Sequence, residues 1–195
     1  MRCRVARTMR VRMITITPDR LLGQRLVRDE RGQGLVEFAL ILPVLMLILV
    51  GILEFGSIYS NIISMRQGVR EAGRQGSVAR FGSDSSCLEP GATGSTNMKQ
   101  LMCLAKDQSG VQDGVKVRVK FAKNDLTPGG TYAVGDALVV CAAYPLTSLT
   151  GLFQPFLGGR VAKTRAAFRI EKADAAGATA GGEADPSGQN WDWCV

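Results

Sequence analysis

The sequence predicts an α+β protein: a long N-terminal transmembrane helix that continues into an amphipathic helix, packed on a small antiparallel sheet of about three strands. Three observations carry this. Residues 38–53 read FALILPVLMLILVGIL, sixteen in a row without a charge. Beyond them, Ile62, Ile63, Val69 and Ala72 alternate with arginines at helical spacing, with no proline to interrupt. Further on, Val115, Val117, Val119 and Phe121 alternate with Lys116, Arg118 and Lys120; residues 137–144 are apolar on both faces; and residues 162–170 alternate again with Lys163, Arg165 and Arg169 outward. These are the signatures of a half-wet strand, a central strand and a second half-wet strand.

Residues 1–33 form a basic leader with nine Arg against Asp19, Asp29 and Glu30. Met9 and Met13 are internal alternatives to Met1 as the start. The span is assigned to residues 34–59, because a bilayer core about 30 Å thick needs roughly 20 helical residues. Glu37 and Glu54 then fall near its two interfaces, away from the midplane, and Pro43 is a defect that membrane helices tolerate. The apolar run is too long for the core of a cleaved secretory signal. Arg20, Arg25, Arg28 and Arg31 directly precede the span, which places the N-terminus in the cytoplasm and exports the rest, against the weaker counter-signal of Arg66, Arg70, Arg74 and Arg80. A single crossing of the cytoplasmic membrane is expected.

The helical extension covers residues 60–81. Arg66, Arg70 and Arg74 share one face, read as solvated, while Gly68, Ala72 and Gly76 form a small-residue row whose spacing permits close packing. Residues 82–172 are the exported α+β domain, opening with a Gly/Ser/Thr-rich loop to 97 and a short helix over 98–106. Residues 173–195 have the Ala/Gly/Asp-rich composition of a flexible tail, although Trp191, Asp192, Trp193 and Cys194 at its end suggest docking.

Composition narrows the function classes. The +7 net charge is concentrated before the span and does not call for nucleic acid. The chain has no His, which removes the commonest general base and metal ligand. It also lacks a Gly-rich phosphate loop and a nucleophile motif, so no enzyme activity, catalytic residue, cofactor or small-molecule substrate is expected. Cys87, Cys103, Cys141 and Cys194 all follow the span, and none has the close spacing of a zinc site. On the exported side they pair as disulfides; Cys87 with Cys103 and Cys141 with Cys194 is the preferred pattern among three connectivities, the second pair being the weaker inference.

The run Asp29, Glu30, Arg31, Gly32, Gln33, Gly34, Leu35, Val36, Glu37, Phe38 resembles the start of TadE-like proteins, pseudopilins of bacterial tight-adherence (Flp-type) pilus systems. The resemblance continues through the Leu-rich segment with Pro43, the Glu54, Phe55, Gly56 turn, and Val69, Arg70, Glu71, Ala72, Gly73, Arg74. Less specifically, it extends to residues 144–171, where Leu149 to Phe156 precede a strand. It implies cutting by a prepilin peptidase between Gly32 and Gln33, which would leave Glu37 and Phe38 as the fifth and sixth mature residues. Glu37 is then the assembly carboxylate that neutralises the new α-amino group of a neighbouring subunit within the membrane. The implied partners are the peptidase, the major pilin, other Tad/Flp pilus proteins and membrane lipid. A membrane-anchored envelope-binding or regulatory module that is never processed is the competing reading; it keeps the topology and retains the leader.

Overall fold

The computed structural model describes residues 32–111, 114–123, 127–186, 188 and 190–194. Residues 1–31 of the basic leader, Cys3 among them, lie outside the described residues. The chain divides into two units, Met1–Leu47 and Ile48–Val195. Helix α1 (Gln33–Ser77) runs through 45 residues, more than twice the roughly 20 that a bilayer requires. Among the described residues it is the one helix long and apolar enough to cross a membrane.

In the first unit, Leu35, Val36, Phe38, Leu40, Ile41 and Val44 to Leu47 are exposed around the whole helix circumference. A helix apolar all round belongs in lipid or a packed interior, and among the described residues no protein packing covers this segment. Pro43 lies inside α1 and brings no N–H to the helical ladder.

The second unit is built on the C-terminal part of α1. Met65, Gly68, Val69, Ala72, Gly73 and Gly76 recur every three or four residues and are buried, so one stripe faces the core. The small residues set the approach distance. A Cβ on Gly68 would lie 2.5 Å from the Ala105 carbonyl oxygen of α2 (Thr96–Ser109), and one on Gly76 would lie 2.6 Å from Leu138 and 2.7 Å from Leu101. Gly73 faces the Phe168 ring, which leaves no room for a methyl group. The small-residue row thus packs the extension onto its own domain. Arg66, Arg70 and Arg74 stay exposed, as their spacing predicts.

The three long strands are β1 (Lys116–Ala122), β3 (Ala137–Pro145) and β4 (Val161–Arg169), all antiparallel, with β3 in the middle. Two additional strands, β2 (Pro128–Gly129) and β5 (Gly181–Gly182), lie along the outer edge of β1. The strand count therefore exceeds the expected three. Two residues of Pro and Gly have no alternation to read, and the edge of β1 is covered by pieces too short for a pattern.

Val117, Val119 and Phe121 of β1 and Leu138, Val140 and Ala142 of β3 join Met65, Val69, Met98, Leu101 and Met102 in the main core. Tyr132 donates its hydroxyl hydrogen to the Gly76 carbonyl oxygen at 2.9 Å and supplies one of the acceptors at the end of α1 with a partner. The opposite face of the sheet is covered too. Val139, Cys141 and Ala143 pack with Trp191 and Cys194. The segment 173–195, whose composition reads as a flexible tail, is instead docked over its described residues, and this is a correction. Lys120 Nζ donates to the Trp191 carbonyl at 2.7 Å, so the basic stripe of β1 is not simply a wet face; part of it holds the returning chain.

The structure contains both preferred disulfides, Cys87–Cys103 and Cys141–Cys194. The first closes the loop before α2. The second ties the central strand to the end of the returning segment. A short helix, α3 (Gln154–Leu157), sits in the β3–β4 connection.

Candidate functional site: the helix start and the Glu54 clasp

Gly32 occupies the turn immediately before α1, and its carbonyl accepts the first helical hydrogen bond from the Val36 N–H at 3.3 Å. Having no side chain, Gly32 leaves this backbone uncovered. Gln33 begins the helix, and its Nε2 donates to Glu37 Oε1 at 3.3 Å, one helical turn on. Glu37 and Phe38 are both exposed. The four residues that the sequence singles out thus form one continuous helix start, with the carboxylate on the outside of a segment otherwise apolar.

Glu54 behaves differently. It is 2% exposed although both helical neighbours, Leu53 and Phe55, are open. Its Oε1 accepts the Leu149 N–H at 2.7 Å, and its Oε2 accepts the Thr150 hydroxyl at 3.1 Å and the Thr150 N–H at 3.3 Å. A carboxylate receiving two backbone donors and a hydroxyl satisfies most of its acceptor capacity within the chain. The sequence places Glu54 near a membrane interface. It does not reveal the clasp, because the partners lie 95 and 96 residues away along the chain. The run of Ser148, Thr150 and Gly151 before an apolar turn was the available signal.

Two ion pairs, Lys106–Glu183 and Glu71–Arg74, were not foreseen as pairs from the sequence. Glu183 is buried against Lys106 of α2, Nζ to Oε1 2.7 Å, and also accepts the Glu89 N–H and the Val117 N–H. It fastens the returning segment to β1 and α2 together. Outside the span, the Arg74 guanidinium grips Glu71 through two hydrogen bonds of 2.7 and 3.0 Å; with the Gln75 amide it pulls the Glu71 carboxyl down to about 2. Among the described residues no cluster of three or more His, Cys, Asp or Glu is placed to hold a metal ion.

No curated protein and no solved structure matches the chain. The segment that opens on Gly32 and takes in Glu37, Glu54 and the Glu71–Arg74 pair is nonetheless TadE-like: residues 32–74 match the family model described as TadE-like protein.

Proposed function

We propose that this chain is a minor pseudopilin of a bacterial tight-adherence (Flp) pilus, a structural and assembly component that performs no chemistry of its own. The family match carries the reading, because it begins at Gly32, where a prepilin peptidase would cut, and contains Glu37 at the spacing that assembly requires. Residues 1–33 form the cytoplasmic leader, 34–59 the span, 60–81 the extension, and 82 onward the exported domain. Cleavage between Gly32 and Gln33 releases residues 1–32 and creates an α-amino group on Gln33 at the membrane surface. Glu37 then pairs with that group on a neighbouring subunit, a contact strengthened by the low dielectric among packed helices. The hydrogen bond from Gln33 holds the Glu37 side chain toward the helix start, where the new charge forms. Partners in this scheme are the peptidase, the major pilin, other Tad/Flp pilus proteins and the lipid around the span.

Intact mass of the membrane-extracted protein, non-reduced and then reduced and alkylated, from cells with and without the peptidase, tests the proposal. The expected result is loss of residues 1–32, with Gln33 N-terminal, only when the peptidase is present. A chain that keeps its leader in both strains points to the unprocessed envelope module.

A further inference from the structure

The connection between β3 and β4, residues 146–160, is long for a hairpin, and connections of this length usually have a function of their own. Residues 146–159 read LTSLTGLFQPFLGG, without one charge. Its apolar side chains point outward: Leu149 is 76% exposed, Leu152 55% and Phe156 74%. Protruding Leu and Phe in such a cluster mark a binding surface in a water-soluble domain.

Its polar groups, by contrast, are turned inward on one another. Gln154 Oε1 accepts the Ser148 N–H at 2.9 Å, and Thr150 Oγ1 accepts the Leu152 N–H at 3.3 Å. The carbonyls of Gly151, Phe153 and Gln154 take N–H groups from within the turn, and the Leu146 N–H donates to the Arg160 carbonyl at 2.9 Å, closing the base. Internal pairing of this kind is what backbone must achieve before it can leave water.

The position of the loop is fixed by α1. The Glu54 clasp holds residues 149 and 150, and the Phe153 ring lies 6.0 Å from that of Phe55. The apolar helix residues around this point, Ile52, Leu53, Phe55 and Tyr59, are themselves exposed. At the other end of the sheet, the Glu171 N–H donates to the Ser77 carbonyl. The β3–β4 hairpin therefore runs alongside α1 with its tip at the level of Glu54 and its open end at Ser77.

We infer that the 146–160 loop is a second membrane-contacting element, a hook whose Leu149, Leu152 and Phe156 enter the outer interface of the lipid bilayer beside α1. This rests on the reading of α1 as the membrane span. The occupant is lipid because the hook's apolar surface is continuous with that of the helix, and because a charge-free tip with internally paired polar groups suits a medium that offers no hydrogen bonds. Entry at two points fixes the exported domain's tilt against the membrane, which one helix alone leaves free.

The test is tryptophan quenching by brominated phosphatidylcholine, using the full chain in vesicles. Three single variants are compared after subtraction of the parent, which reports Trp191 and Trp193: Phe156→Trp in the hook, Leu45→Trp in the span, and Val134→Trp in an exposed turn. Val134 precedes the far end of β3, which lies about 27 Å from the hook at 3.4 Å per strand residue. The expected result is a blue shift and loss of emission for Phe156→Trp and Leu45→Trp, with Val134→Trp unchanged. Quenching of Leu45→Trp alone overturns the hook and leaves the span intact. Absence of quenching in both removes the anchor reading and the hook with it. A blue-shifted Phe156→Trp that brominated lipid fails to quench means that a second copy of the chain covers the hook, and this also overturns the inference.

Discussion

Individual glycines decide how closely α1 approaches its domain. Alanine at Gly73 must displace the Phe168 ring, and at Gly76 it must displace both Leu101 and Leu138; each substitution is expected to lower stability by about 1–3 kcal/mol, the usual cost of overfilling a packed site. Gly68→Ala is expected to cost at least as much, since the clash there is with α2 backbone rather than a movable side chain. Gly56 has nothing within 4 Å, so Gly56→Ala serves as the control without a penalty. Urea unfolding of the four variants distinguishes them. Glu71 makes a separate prediction. Its folded carboxyl titrates near 2 rather than at the ordinary 4.5, so the stabilisation from its Arg74 contact is complete above pH 4.5 and fades as the pH falls toward 2. The pair is exposed, so the effect is small and screened by salt. Carboxyl NMR titration of Glu71 should show the depressed midpoint, and Arg74→Met should return it toward 4.5.

At the scale of elements, the returning C-terminal segment holds the second face of the sheet. Lys106→Met leaves the Glu183 carboxylate buried without its cation and is expected to destabilise the domain by about 3–5 kcal/mol. Hydrogen exchange should place the loss in the segment itself, with the Val117 and Glu183 amides, which bond across β1 and the segment, losing protection first. This segment is also where sequence reasoning stopped. The extension of α1 and strands β1 and β4 were legible because each repeats its own period over seven residues or more, and the N-terminal part of α1 and strand β3 because each is an unbroken apolar run of fitting length. Strand β5 is Gly181–Gly182, and the glycines are there because a Cβ at 181 would collide with the Thr93 carbonyl and one at 182 with Arg118. A requirement for close approach erases the very pattern from which a strand is read. Glu183 and Lys106 lie 77 residues apart, and Glu54 and Leu149 lie 95 apart, so neither pair leaves a local trace. The apolar both-faced character of β3 reads only as a central strand, and Trp191, Trp193 and Cys194 suggest docking without showing where; the structure seats Trp191 and Cys194 on the second face of β3.

At the scale of the whole molecule, orientation and folding are coupled through the cysteines. On a chain-entropy estimate, closing loops of 16 and 53 residues contributes about 3 and about 4 kcal/mol respectively, but only where disulfides persist. An inverted chain would leave the domain in the reducing cytoplasm and lose both. Four arginines at positions 20, 25, 28 and 31 precede the span, and four at 66, 70, 74 and 80 follow it, so the charge bias that would export the domain under the proposed orientation is modest and sensitive to the leader. Replacing Arg20, Arg25, Arg28 and Arg31 with glutamate should therefore invert a large fraction of the molecules. Two independent readouts should move together: a phosphatase fused after residue 195, active only outside the cytoplasm, loses activity, and thiol alkylation without prior reduction now labels Cys87, Cys103, Cys141 and Cys194. If phosphatase activity persists and the four cysteines stay protected, the leader arginines do not set the orientation. If activity is lost while the cysteines remain protected, the disulfides form without export, and the coupling between topology and fold is wrong.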